Sequence, residues 1–412
     1  MKLTECVACG SSDLTKYLDL GEQPLANTYP TTKEEGLLLP KYELAVNYCN
    51  SCYHSQLTES VDPDLLFKDY LYVSGTSKTL RDYFDWFADE VRKYLPYGQF
   101  VLDIASNDGT QLKSFKDRGW SVFGVDPAEN LKHQQLENGV ETITGYWPNV
   151  LNDHDFALFD AIICQNVVAH VPNPLEFLKS CTNVLDDNGL LFIQTSQSNM
   201  FVNGEFDTIY HEHISFFNTT SMRELGKRAG LVLVDVFKVP VHGTSYVFVF
   251  QNKLDIEDNY RNIRQNPLHF NHYVLDQIDS EQKHCIYHPK TYSWFAHNAE
   301  NITKQLKDTV QKYKDEGYMV VGYGAAAKGN TLLNYGDIHL DYIVDDNELK
   351  CGRFTPGTLI PIVSIAELRE WDKPVVFVIL AWNFFDEIVS KIKEVRNGDK
   401  FLTYFPKLKV VE

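Results

Sequence analysis

Six apolar runs recur at helix-length intervals through the middle of the chain: FVLDIA, SVFGVD, DAIICQN, GLLFIQT, VLVDVFKV and SYVFVFQ. Rich in β-branched residues, they predict a mostly parallel sheet with crossover helices. The last two stand close together and predict an antiparallel hairpin at the sheet edge. Upstream, residues 62–96 switch to helical spacing with interleaved aromatics. Ser74-Gly75-Thr76-Ser77 divides that stretch into two helices, the second strongly amphipathic. Downstream, residues 252–289 are polar, without strand character, and predict a linker or an exposed connecting helix. A long helix over 291–316 follows, then YMVVGYG, the loop AAAKGN, and the runs HLDYIVDD, PVVFVILAW and KFLTYFP. These predict a second, smaller α/β unit. The expected organisation is therefore α/β in three parts, 1–65, 66–270 and 271–412.

Bulk composition narrows the class. A chain of 412 residues with 44% hydrophobic and 23% charged residues has ample material for two or three cores. The formal charge of −18 argues against a broad nucleic-acid surface. No run approaches membrane-spanning length, so no membrane partner is expected. The start, MKLTECVACG, has no apolar signal region, and a cytoplasmic address is expected from that.

Eight cysteines in such a chain predict thiols or metal ligands rather than disulfides. Four are patterned: Cys6 and Cys9 form one C-x-x-C pair, Cys49 and Cys52 another. Two such pairs supply four thiolates for tetrahedral zinc, and the spacer between them can form small hairpins. With no open coordination position, the zinc should be structural and should fold a segment too small for a full core. His54, near the second pair, reads as a surface histidine. Cys164, Cys181, Cys285 and Cys351 show no ligand spacing and read as buried small hydrophobes.

Candidate chemistry clusters where apolar runs end. Residues 100–126 read as strand, loop, helix and strand: the first strand ends in Asp103, and Ala105-Ser106-Asn107-Asp108-Gly109 forms the loop. Asp126 closes the second strand. This is the layout of a nucleoside pocket, in which an acid accepts both ribose hydroxyls. The bland alternative is a plain βα unit with a surface acid. Without G-x-G-x-x-G, pyrophosphate is disfavoured here and the phosphate-free adenosyl group of S-adenosylmethionine fits better. Asp103, Ser106, Asn107, Gly109, Asp126 and Asn166 are the cofactor candidates. Asn166 and His170 follow the third run, beside the cofactor's reactive end, although a histidine there can equally cap the next helix. Tyr210-His211-Glu212-His213 places four polar side chains in a row, suited to acid–base work. Metal binding ranks lower because the spacing is not H-E-x-x-H, and a structural polar turn is the third reading. Gly322-Tyr323-Gly324-Ala325-Ala326-Ala327 followed by Asp345 about 20 residues on is the dinucleotide fingerprint. It supports an NAD-dependent oxidoreductase acting on a nucleotide sugar as the rival reading. Lys328 and Asn330 in that turn suggest instead a phosphate clamp for a nucleotide-linked ligand.

Taken together, the paired C-x-x-C knuckles, LDIASNDG, CQNVVAHVPNP, YHEHISFF and VGYGAAAKGNTLLNY resemble the sugar C-methyltransferases, in that family's order and across essentially the whole chain. The resemblance implies a zinc-binding domain, a central Rossmann-like S-adenosylmethionine domain, and a C-terminal Rossmann-like domain that helps hold a nucleotide sugar. It implies methylation at C-3′ of a dTDP- or GDP-linked 4-keto-6-deoxysugar through a base-generated enolate, in the making of a branched-chain deoxysugar. By the same resemblance His213 is the base, with Glu212 and Tyr210 orienting it or sharing the proton. His170 and Asn166 would lie at the enolate side, and Tyr72 would contact the sugar. Ala105 stands where the family usually has glycine, which should be tolerated with some effect on cofactor affinity. A monomer is expected.

Overall fold

The computed structural model describes residues 1–67, 73–196, 199–241, 243–253 and 270–411. Three sheets organise them. The first runs β1 (Leu14–Pro24), β2 (Lys41–Cys49), β3 (Ser55–Leu57) and β9 (Ser215–Phe216), all antiparallel. The expected hairpins of the cysteine spacer are thus strands of a sheet that borrows its fourth member from far along the chain.

The central sheet contains β4 (Phe100–Ile104), β5 (Ser121–Asp126), β6 (Thr142–Thr144), β7 (Phe159–Gln165), β8 (Leu185–Thr195), β10 (Leu231–Val239) and β11 (Ser245–Asn252). Their order is β10-β11-β8-β7-β4-β5-β6, with only β11 and its hairpin partner β10 joined by antiparallel pairing. The chain builds outward from β4 through β5 to β6, then returns to build β7 and β8 on the other side. The crevice between β4 and β7 is therefore the switch point where ligands bind open α/β sheets. The helix Lys78–Tyr94 covers one face. Ser77 caps it by accepting from the Leu80 N–H, and Leu80, Tyr83, Phe84, Phe87, Ala88 and Val91 form its buried stripe at helical spacing.

The third sheet contains β12 (Met319–Tyr323), β13 (Tyr342–Val344), β14 (Ile362–Val363), β15 (Val375–Ile379), β16 (Lys400–Thr403) and β17 (Lys409–Val411). Its order β14-β13-β12-β15-β16-β17 is parallel except for β17, with a second switch point between β12 and β15. The helix Pro289–Asp315 packs this sheet against the first one. Its Tyr292, Phe295, Ile302 and Leu306 share a single apolar cluster with Leu18, Val46 and Tyr48 of the N-terminal strands and Leu332 and Val376 of the C-terminal unit. The helix Phe270–Lys283 packs instead on the central sheet, where Val274 joins its core and Glu281 accepts from Thr219 and Tyr246.

Several side chains sit otherwise than the sequence suggested. His54 is fully buried, its ring 4.6 Å from that of Phe217, because β9 closes over β3. Cys164 and Cys181 are buried as expected, but Cys285 is exposed and Cys351 only half-buried. Asn330 is buried as a tie between domains: its Nδ2 donates to the Ala26 carbonyl at 2.7 Å and to the Tyr29 hydroxyl at 3.4 Å. It does not face the cavity described below. Replacing Asn330 with Ala strands a buried carbonyl, at a cost of about 1–3 kcal/mol. A thermal melt should register that loss, while ligand affinity in that cavity stays within about two-fold because no lining side chain is removed.

Candidate active site and metal centre

The sulfur atoms of Cys6, Cys9, Cys49 and Cys52 lie within 4.8 Å of one another, with Cys6–Cys52 at 3.6 Å and Cys9–Cys49 at 3.5 Å. Zinc–thiolate bonds of about 2.3 Å set tetrahedral sulfur–sulfur edges near 3.8 Å, so the quartet matches. Each knuckle turns sharply: Gly10 N–H donates to the Cys6 carbonyl and Tyr53 N–H to the Cys49 carbonyl. The Cys9 and Ser51 N–H groups point at Cys6 and Cys49 sulfur, a setting for thiolates. Arg228 Nη1 donates to the Ala8 carbonyl at 2.8 Å and ties the knuckle to the central domain.

Both switch points open on one cavity of about 1110 Å³. On the central-sheet side, the loop after β4 turns through left-handed Ala105 (φ +61°) and Asn107 (φ +50°), and Asn166 after β7 has φ +54°. Asp126 Oδ2 accepts from Asn107 N–H and Oδ1 from Ala128 N–H, both at 2.8 Å. A carboxylate has about four lone-pair sites, so each oxygen keeps one for a ribose hydroxyl. Burial pushes this carboxyl up to about 6. Asp103 is also buried, which with the nearby Asp126 and Asp108 holds its carboxyl well above the usual range. Ser106 Oγ and Asn166 Oδ1 are buried without a hydrogen-bond partner, as ligand groups would be. Asn107 spends its side-chain oxygen on Ser74 N–H at 2.9 Å, and Asp108 accepts from Gly75 N–H at 2.8 Å. These bonds lay the Ser74–Thr76 turn over the loop. Gly109 stands apart from the cofactor candidates. It does not line the cavity; its φ of +79° starts the helix Thr110–Lys116, and a Cβ there would strike Val140.

Opposite lies the polar cluster. His213 Nδ1 lies 2.8 Å from the Thr208 carbonyl, which can only accept, so this nitrogen carries the proton. Nε2 then accepts from the Tyr210 hydroxyl at 3.0 Å. The Thr208 carbonyl, rather than Glu212, thus sets the tautomer. Glu212 accepts from Asn27 Nδ2 at 2.6 Å, and burial pushes its carboxyl up to about 7. The His170 ring stands 4.9 Å from that of His213 and bonds the Glu212 main-chain carbonyl. Burial pushes His170 down to about 4, so it is neutral, and its Nδ1 is unpartnered. Tyr210, Glu212, His213 and His170 all line the cavity, whereas His211 turns away toward the Tyr42 carbonyl. Tyr72 lies outside the described residues.

The C-terminal wall carries Lys328, Lys350 and Arg353, which are the cavity's Lys and Arg residues among those described. The Lys328 ammonium lies 4.9 Å from the Trp382 ring centre. The fingerprint acid Asp345 is already engaged: it accepts from Ala325 and Asn347 N–H, and Lys350 lies 3.8 Å away. Tyr29 and Lys350 both donate to the Ala325 carbonyl in the glycine-rich turn. Gly324 serves packing, since a Cβ there would sit 2.8 Å from Ala381 Cβ. Asn27, Tyr29, Lys350 and Arg353 carried no motif, and only the folded chain brings them to the site.

An acid-closed crevice at the first switch point, facing a buried cluster of titratable side chains, fits a Rossmann-like S-adenosylmethionine-dependent methyltransferase. Family comparison agrees along the chain. Residues 6–67 match a zinc binding domain, 77–236 a methyltransferase domain, and 241–406 a C-methyltransferase C-terminal domain. The C-methyltransferase NovU of Streptomyces niveus is 31% identical over 421 residues, covering 99% of this chain and 97% of that protein. The chain belongs to this C-methyltransferase family, with S-adenosylmethionine as cofactor and a structural zinc. The ubiquinone biosynthesis O-methyltransferase of Aeromonas salmonicida is 24% identical over 229 residues, covering 50% of this chain and 94% of that protein. Among solved structures, the magnesium protoporphyrin IX methyltransferase of Synechocystis PCC 6803 shares 14% identity at a TM-score of 0.33, covering 41% of this chain and 83% of that one.

The strain at Ala105 can be tested. A left-handed alanine costs about 1–2 kcal/mol, and glycine there gives back about 0.5–1 kcal/mol through unfolded-state entropy. Ala105→Gly should therefore raise the melting temperature slightly. Because the backbone already follows the path glycine would take, S-adenosylmethionine affinity by titration should change less than about two-fold.

Proposed function

We propose that this enzyme methylates C-3′ of a nucleotide-linked 4-keto-6-deoxysugar, in the making of a branched-chain deoxysugar. The observation that carries this reading is the hydrogen-bonded series Tyr210–His213–Thr208, aimed into a cavity shared with the cofactor loops and with Lys328, Lys350 and Arg353. Transfer to oxygen or nitrogen needs no base aimed at carbon. Three cations gathered on one wall of a chain with net charge −18 suit the diphosphate of a nucleotide sugar. The C-methyltransferase relative supports carbon as the acceptor.

A C-4′ ketone acidifies the C-3′ hydrogen, which still needs a positioned base. Because Nε2 of His213 is already taken by the Tyr210 hydroxyl, the phenol oxygen is the group that meets the sugar. It takes the C-3′ proton as its own proton passes to Nε2, and the imidazolium so formed stays bonded to the Thr208 carbonyl. Glu212, in the protonated form that burial favours up to about pH 7, donates to the C-4′ oxygen as negative charge builds there. His170 has only a lone pair to offer at Nδ1, which suits a sugar hydroxyl. The cofactor, when bound, supplies an electrophilic methyl group. The chain's own task is to hold C-3′ in line with it and keep water out.

The relay predicts that Tyr210→Phe and His213→Asn each abolish deuterium wash-in at C-3′ together with methylation, a loss of about 10²–10⁴-fold. Proton NMR of the sugar in heavy water reads both. Exchange that survives Tyr210→Phe would make His213 the direct base. Glu212 must be protonated to donate, so kcat/KM for the sugar at saturating cofactor should fall as pH rises past about 7. Glu212→Gln, a permanent donor, should flatten that limb. A rate that climbs through the same range would instead assign Glu212 to its carboxylate form.

A further inference from the structure

Just past β1, residues 25–29 carry the N-terminal domain along the edge of the cavity, where Asn27 is one of the lining side chains. The C-terminal domain clamps both flanks of this stretch. Asn330 Nδ2 donates to the Ala26 carbonyl at 2.7 Å and Arg353 Nη1 to the Tyr29 carbonyl at 3.1 Å. The Tyr29 hydroxyl in turn donates to the Ala325 carbonyl at 2.5 Å. Thr28 N–H closes a turn onto the Leu25 carbonyl, so Asn27 sits on a held turn. Its Nδ2 reaches Glu212 Oε1 at 2.6 Å, and among the described residues nothing else bonds the Glu212 side chain.

A protonated carboxyl carries one O–H, which can sit on either of its two oxygens. An amide N–H only donates, so the oxygen it meets must be the accepting one. We propose that Asn27 is a positioning residue for the acid: by claiming Oε1 it places the Glu212 proton on Oε2, the oxygen left for the cavity. This rests on the donor role of Glu212 given above and supplies its direction. With the amide reversed, Glu212 would donate to Asn27 and offer the sugar only an acceptor. The neighbouring titratable groups do not make that choice. Burial keeps His170 and His211 neutral, and burial with the charges of Asp345 and Glu212 keeps the Tyr29 phenol protonated. Tyr210 and His213 bond each other on the same loop, and the Lys350 ammonium stands 5.1 Å from the Tyr29 ring centre. The Asn27 N–H also favours the carboxylate, offsetting part of what burial adds.

Infrared difference spectroscopy of the full chain reads the protonated Glu212 carboxyl without any sugar, its band assigned by loss in Glu212→Gln. Removing a donor that favours the charged form should move the midpoint of that band to higher pH, by about one unit in Asn27→Leu. A midpoint that stays put overturns the inference. One that moves to lower pH overturns it too, because Glu212 is then the donor to Asn27. A wild-type protein with no such band near neutral pH overturns the acid reading itself, and this inference with it. Turnover of a nucleotide-linked 4-keto-6-deoxysugar at saturating cofactor gives a second readout. Leucine leaves the proton free to take either oxygen, so Asn27→Leu should cost less than about five-fold in kcat. Asn27→Asp, the closer match in shape, presents an acceptor that draws the proton to Oε1, and should cost about ten-fold or more. A packing role would rank the two variants the other way, and that order, or equal losses, would overturn the inference.

Discussion

The hydrogen bond from His213 Nδ1 to the Thr208 carbonyl decides which face of the imidazole is basic, and both groups ride on one loop that three parts of the chain hold. Behind it, β9 begins two residues after His213 and pairs with β3, and Leu57 N–H donates to the Ile214 carbonyl. Ahead of it, buried Asp207 accepts from Trp382 Nε1 at 2.9 Å and from the Tyr404 hydroxyl at 3.1 Å, both in the C-terminal domain. From the side, Asn27 holds Glu212. None of the four cysteines lines the cavity, yet Cys49 and Cys52 bracket the turn that sends the chain into β3. A metal bound there would therefore stiffen the strand on which the Thr208–His213 loop is pinned.

The two Rossmann-like units use one backbone device to different ends. In each, an acid at the end of the second strand accepts an N–H from the loop after the first strand and another from two residues further along its own. Asp126 does so with Asn107 and Ala128, Asp345 with Ala325 and Asn347. What differs is the company. Asp126 faces open cavity, whereas Asp345 has Lys350 beside it and Tyr29 bonded to the adjoining turn. Lys350 and Tyr29 thus crowd the acid that a dinucleotide's ribose would need, and Lys350 joins Lys328 and Arg353 on the cavity wall.

This explains what could be read from the chain alone. Periodicity placed the longer strands of both parallel sheets and the edge hairpin, because buried strands of that kind are written as continuous apolar runs, but it missed β6, β14 and β17, which are only two or three residues long. The zinc quartet was legible because its spacing is local. The fingerprint around Gly322 and Asp345 was legible too, but spacing reports only the backbone turn and says nothing of Lys350 in front of it. Asn330 misled for the same reason: an amide in a phosphate-like turn reads alike whether it meets a ligand or the Ala26 carbonyl. Gly109 was read as a cofactor contact where the need was a left-handed helix start. His54 looked exposed because β9, which buries it, comes some 160 residues later and is two residues long. Asn27, Tyr29 and Lys350 reach the site only through tertiary contacts, and no local pattern marks them.

Burial does chemical as well as structural work in the cavity. His170 and Glu212 sit side by side, joined through the Glu212 main-chain carbonyl, and desolvation drives their proton affinities in opposite directions toward one outcome, neutrality. A charged imidazole there would stabilise an enolate but also draw the base's proton back. A charged carboxylate would oppose the enolate outright. In the proposed relay, the proton taken from carbon would rest on His213, whose Nδ1–H points at a carbonyl that favours the cation. The contrast between that carbonyl-bonded ring and its two desolvated neighbours arises where residues of all three domains line one cavity.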